Sequence, residues 1–93
     1  MIPLVWTALS LDDLNRMEEF NQTRSEAWAR RVEQRIAQRC ATLPALPGQG
    51  RPIGDGLREL SIPDIQYIIV YEATNNAVLI HRVWSTRQNR EQP

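Results

Sequence analysis

The chain has 93 residues, 42% of them apolar and 24% charged, and its eleven arginines, with no lysine, balance eleven acids to a net charge of zero. That composition excludes an intrinsically disordered chain, which lacks the apolar surface to offset its ordering entropy, and a chain this short buries only about 60 to 65% of its unfolded surface. One cysteine, Cys40, excludes an internal disulfide framework, and the absence of a charged-then-apolar leader or a long apolar run predicts a soluble cytoplasmic protein that makes no membrane contact.

Ile2 to Thr7 reads as a short first strand, with Val5 and Trp6 suited to a pleated surface. A helix follows, with Ser10 as its expected cap and Asp12 and Asp13 in the first turn, where free N–H groups and the helix dipole favour negative charge. Leu11, Leu14, Met17 and Phe20 form its expected inward arc, and the helix ends near Gln22. Thr23 and Glu26 stand at capping-box spacing and open a second helix. Trp28, Val32, Ile36 and Cys40 repeat every four residues and, with Leu43, make its buried stripe. At about 100° per residue, Arg24, Arg31, Arg35 and Arg39 fall along one flank of that stripe. The short connection and matched apolar faces predict an antiparallel helical hairpin.

Residues 44 to 56 hold three of the six prolines and all four glycines, so they read as one long loop. The glycine spacing fits neither nucleotide-binding fingerprint, and a strand rather than a helix follows, which argues against a phosphate cradle. Three apolar stretches then read as strands at 57–62, 65–72 and 77–84. The last two are joined by Asn75 and Asn76, residues that tolerate the positive φ of a tight hairpin. On the middle stretch Ile68 and Val70 face one way and Tyr67, Ile69 and Tyr71 the other, which predicts a central strand covered on both faces. The class is α+β: an N-terminal strand, an antiparallel helical hairpin, then a three-stranded antiparallel meander completing a small sheet.

Charge is uneven along this order. Residues 1–29 carry five acids and two arginines, whereas residues 30–58 carry six arginines and two acids. Every cation is a planar fork suited to bidentate contact with carboxylate or phosphate, although GC-rich coding would produce the same bias. The arginine flank of the second helix has two readings: pairing in water with Glu18, Glu19, Glu26 or Glu33, or docking an acidic partner. His81, the only histidine, suits acid–base work at neutral pH, but mid-strand between Leu79 and Val83 it reads as packed and hydrogen-bonded. Tyr67 and Tyr71 read as core. One histidine and one cysteine on different elements make no metal-ligand cluster, and no cofactor is expected.

Four stretches in order carry a family resemblance: "VWTALSLDDL" near the start, "GRP" at 50–52, "RELSIPDIQYIIVYE" at 58–72 and "VLIHRVWSTRQ" at 78–88. Together they resemble the RelE/ParE superfamily of toxins from type II toxin–antitoxin modules. The resemblance implies a single RelE/ParE-like toxin domain over 1–93, growth arrest or plasmid stabilisation as its effect, and a cognate acidic antitoxin encoded adjacently, in a hetero-oligomer. It also implies one of two activities. ParE-type members block DNA gyrase by binding, whereas RelE-type members cut messenger RNA on the ribosome with loop lysines, arginines on the second and last strands and a tail tyrosine.

Arg51, Arg58 and Arg87 match cationic positions of the cleaving set, with His81 as the remaining acid–base candidate. The lysines and the tail tyrosine have no counterpart, and Ser85 stands where many relatives carry histidine. The expectation is therefore a ParE-like gyrase inhibitor, with a ribosome-dependent endoribonuclease or an inactive relative as alternatives. Target contact is expected at Arg87, Arg82, Arg58 and Arg51, with Arg90 solubilising the tail. Antitoxin contact is expected at Trp28, Arg31, Arg35 and Trp84. Arg82 alternates with Ile80 and Trp84, so it is expected on one face with them, where a buried charge needs a partner.

Overall fold

A computed structural model of the chain describes residues 2–87; Arg90 lies outside the described residues. Seven elements run in the order β1 (Leu4–Trp6), α1 (Ala8–Gln22), α2 (Glu26–Ala41), β2 (Arg51–Gly54), β3 (Leu57–Ile62), β4 (Tyr67–Ala73) and β5 (Val78–Ser85). The strands form one mixed sheet, β1-β5-β4-β3-β2, with β1 parallel to β5 and every other pair antiparallel. The expected architecture holds, with one strand more than expected. Residues 51–54, read as loop, turn back on β3 with Gly54, Asp55 and Gly56 at φ 101°, 56° and 77°. Asp-Gly is a strong hairpin signal, and the count of prolines and glycines around it masked that signal.

Both helices start from other caps than expected. Thr7, not Ser10, caps α1: its Oγ1 accepts from the Ser10 N–H and donates to the Ile80 carbonyl at 2.8 Å, so the neighbouring strand fixes the cap. Ser10 lies buried in the first turn and donates back to the Thr7 carbonyl. Ser25, not Thr23, caps α2 by accepting from the Trp28 N–H, while the Thr23 hydroxyl donates to the Phe20 carbonyl at the end of α1.

The stripe on α2 is buried as expected. Val32, Ile36 and Cys40, with Leu43, pack on Leu60, Ile62, Tyr67, Ile69, Tyr71, Val78, Ile80 and Val83, and half-buried Trp28 packs against this cluster. Burial pushes the Cys40 thiol up to about 12 against the opposing charge of Arg39, which leaves it inert. On α1 the expected arc is only partly right. Met17 is buried and Leu14 packs against the core, but Leu11 and Phe20 are 48% and 56% exposed. The inner face of α1 buries Ser10, Asp13 and Asn21 instead, because it meets the sheet through polar contacts.

All five residues from Tyr67 to Tyr71 are buried. Tyr67, Ile69 and Tyr71 join the core under the helices, and Ile68 and Val70 lie on the opposite face, beside Trp84 and Arg82 of β5. The β4–β5 hairpin forms, but Asn75 and Asn76 do not take positive φ. Thr74 closes the turn, its hydroxyl accepting from the Asn76 and Ala77 N–H groups. Farther along, Val70 pairs with Arg82 and Tyr71 with Ile80, which leaves His81 as the extra residue of a β-bulge. The faces of β5 exchange there. Ile80 and Val83, three residues apart, both enter the core, while Arg82 shares the opposite face with Trp84. The expected grouping of Arg82 with Ile80, and of His81 with Val83, is corrected by this one inserted residue.

Candidate functional site

β1 accompanies β5 only as far as Ile80, so beyond that point the outer edge of β5 has no strand beside it. Asp13 of α1 takes that place. Its Oδ2 accepts from the Val83 N–H at 2.9 Å and from Arg82 Nε at 2.8 Å, and its Oδ1 accepts from Arg82 Nη2 at 3.0 Å. Arg16 adds a contact to Oδ1 at 3.2 Å. Burial pushes the Asp13 carboxyl up, but the bonds from Arg82 and Val83, the Arg82 charge and the Arg16 bond together outweigh burial and hold it below its ordinary value. Arg82 also lies over the Trp84 ring, 5.0 Å from its centroid. The guanidinium is thus engaged by a carboxylate and by an aromatic face.

The other sequence-predicted cations also have internal partners. Arg58 lies in register with Tyr71 and donates to the Gly50 carbonyl at 2.7 Å. The Tyr71 hydroxyl accepts from the Gly50 N–H at 2.8 Å and donates to the Pro47 carbonyl at 2.7 Å, so the two side chains together anchor the proline-rich loop. Gly50 is required there, because an added Cβ would stand 2.8 Å from the Tyr71 ring and 2.9 Å from the Glu59 carbonyl. Arg51 pairs with Glu59 across β2 and β3 at 2.8 Å. Arg31 and Arg35 both meet Asp64 in the β3–β4 turn, Arg35 through two bonds of 2.7 and 3.0 Å. Glu18, Glu26 and Glu33, expected as partners of the arginine flank, instead line a groove of about 230 Å³ between α1 and α2 with Arg30.

These groups do not converge. Arg51, Glu59, Val70 and Arg82 form one row across four strands, which separates the two arginines by about 14 Å of sheet. Arg58 is on the helix-facing side of the sheet, away from that row. His81 bonds Glu72 at 3.0 Å with its side chain 34% exposed, so it is hydrogen-bonded as expected but is not core. It lies four residues from Ser85, about 13 Å along the strand. Tyr67 and Tyr71 are core, as expected. Trp28 and Trp84 stand on opposite sides of the sheet. Among the described residues no group of histidine, cysteine or carboxylates could hold a metal ion, and no helix is long and apolar enough to cross a membrane.

Where β5 ends, Arg87 is placed differently. Gln66, just before β4, takes φ 61°, and its carbonyl accepts from the Thr86 N–H at 2.8 Å and the Thr86 hydroxyl at 3.1 Å. Its side-chain Oε1 accepts from Arg87 Nε at 2.5 Å, and the Ser85 hydroxyl accepts from the Arg87 N–H at 3.1 Å. Next to Gln66, the Tyr67 hydroxyl accepts from buried Asn21 at the end of α1. Burial pushes the Tyr67 phenol up, opposed by the Asn21 bond and by the charges of Arg24 and Arg87, which both lie near it. Arg24 sits over the Phe20 ring at 5.9 Å. Among the described residues neither Arg24 nor Arg87 makes an ion pair. Sequence reasoning singled out Arg87 but missed Gln66 and Asp13, whose partners are remote in the chain.

The family model described as the ParE toxin of the type II toxin–antitoxin system, parDE, matches residues 4–90. Among solved structures, one described as the chromosomal ParDE TA system from P. aeruginosa contains a similar chain, with a TM-score of 0.82 and 22% identity over 94% of this chain and 98% of that one. That likeness shows a shared fold. No curated protein matches the chain significantly.

Proposed function

The chain belongs to the ParE toxin family of type II toxin–antitoxin systems, and from that premise we propose that it poisons DNA gyrase in the cytoplasm by binding it, held inactive by a cognate antitoxin encoded alongside. The observation that carries this reading is the contrast among its arginines. Cleavage of RNA needs a base, an acid and cations within reach of one phosphate. Arg51, Arg58 and His81 sit on different edges and faces, each already bonded inside the chain. Arg87 is exposed, makes no ion pair among the described residues and is oriented by a neutral acceptor. An arginine so placed can donate several charge-assisted hydrogen bonds to a partner.

The antitoxin follows from family membership. A segment touching both Trp28 and Trp84 has to wrap an edge of the sheet, which suits a disordered chain that folds on binding. To use Arg31 and Arg35, an acidic segment has to compete with Asp64. Hydrogen exchange of the bound toxin is expected to slow in both α2 and β5.

The test of the target is a pair of assays on purified protein. Gyrase supercoiling is expected to be inhibited, and messenger RNA on translating ribosomes to stay uncut. Arg87→Ala is expected to weaken inhibition at least about tenfold, the loss of one charge-assisted contact, with folding intact. Codon-specific cuts abolished by His81→Ala, with gyrase unaffected, would make the protein an RNase instead.

A further inference from the structure

Among the described residues two other than glycine take positive φ, Asp55 at 56° and Gln66 at 61°. Asp55 closes a hairpin between two glycines, and aspartate tolerates that conformation by bonding locally. Glutamine has no such advantage, and glycine would hold φ 61° without strain. What glutamine adds over glycine is a side chain, and here that side chain accepts from Arg87 Nε. A strained backbone position that keeps a long side chain points to a use for the side chain.

We infer that Gln66 is a positioning residue that presets Arg87 for contact with an anionic group on the target; the inference rests on the gyrase reading above. The two halves of Gln66 have separate duties. Its main-chain carbonyl ties down Thr86 whatever side chain stands at this position. Its amide oxygen engages Nε of Arg87, and among the described residues the paired Nη groups are left for bidentate contact with a carboxylate or phosphate. An exposed arginine ordinarily loses rotamer freedom when it binds, and one already held at Nε loses less. Because this acceptor is a neutral amide, no carboxylate among the described residues neutralises the guanidinium, and Arg24 stands beside Tyr67 as a second cation.

Gln66→Gly tests this directly, since it deletes the acceptor, relieves the backbone and retains the carbonyl that holds Thr86. The melting temperature is expected to stay level or rise, and the Arg87 Nε–H resonance of the unbound protein to lose its hydrogen-bonded shift. Gyrase inhibition is expected to fall about five- to tenfold, and adding Arg87→Ala in that background to cost little more, because the two residues act as one unit. Gln66→Glu, which retains an acceptor oxygen but adds a charge, is expected to keep the hydrogen-bonded resonance and still lose inhibition, because a carboxylate neutralises the guanidinium that the partner must meet. Undiminished inhibition by Gln66→Gly, losses that multiply in the double variant, or a loss that tracks a lowered melting temperature would overturn the inference. Should wild-type protein leave gyrase unaffected, the target reading falls alone. The Nε–H resonance, and growth arrest by the same variants, then decide the role of Gln66.

Discussion

Arg82 lies near the end of β5 and Arg87 two residues past it, and the two are used in opposite ways. Arg82 donates to the buried carboxylate of Asp13 through two nitrogens and covers Trp84, so its charge is spent inside the molecule. Arg87 donates through Nε to the neutral amide of Gln66, so it is oriented while no carboxylate among the described residues takes up its charge. The difference lies in the acceptor. A carboxylate neutralises a guanidinium, and an amide only aims it. In a chain whose cations are all arginine, residue type says nothing about role; what each guanidinium faces says most of it.

The comparison breaks first at Asp13. Asp13→Ala leaves Arg82 without its carboxylate and the Val83 N–H without its acceptor, and is expected to cost about 3 kcal/mol in urea unfolding. A loss near zero would mean that Arg82 is as uncommitted as Arg87. The loop anchor gives the next largest effect. Gly50→Ala pushes a Cβ against the Tyr71 ring and is expected to cost about 2 kcal/mol, read from thermal unfolding. Arg58→Ala releases the Gly50 carbonyl at a cost of about 1.5 kcal/mol, which would place Arg58 with Arg82 among the structural cations.

Acid titration sharpens the same contrast with a smaller signal. The folded Asp13 carboxyl titrates below its ordinary value, so its contribution is fully present above about pH 4 and is lost as pH falls further through the folded pKa. Asp13→Asn is expected to flatten that acid limb of the stability curve, whereas Arg87→Ala should leave it unchanged. The smallest effect belongs to the surface pair: Asp64→Ala is expected to move the thermal midpoint little, because Arg35 and Asp64 meet in water.

Local pattern made much of this fold legible. The four-residue repeat of Trp28, Val32, Ile36 and Cys40 gave the buried face of α2, and the apolar runs gave β3, β4 and β5 nearly to their ends. Features decided by remote partners were not legible. Thr7 outcompetes Ser10 as a cap because the Ile80 carbonyl holds it, and Asp64 draws Arg31 and Arg35 away from the glutamates of their own helix hairpin. The bulge at His81 left no mark in the strand's alternation, yet it decides which face Arg82 occupies. Of the site itself, Arg87 was visible as a residue, but its orientation depends on a glutamine backbone conformation that no sequence pattern announces.

The central claim is that Arg82 holds the fold and Arg87 meets the target. It is tested most directly by growth arrest under Arg82→Ala and Arg87→Ala at matched amounts of folded protein. The account predicts that Arg82→Ala arrests growth as the wild type does once its lower stability is matched, and that Arg87→Ala, with a wild-type melting temperature, does not. Arrest by Arg87→Ala at the wild-type level, or its loss in Arg82→Ala while folded protein is equal, would contradict the claim.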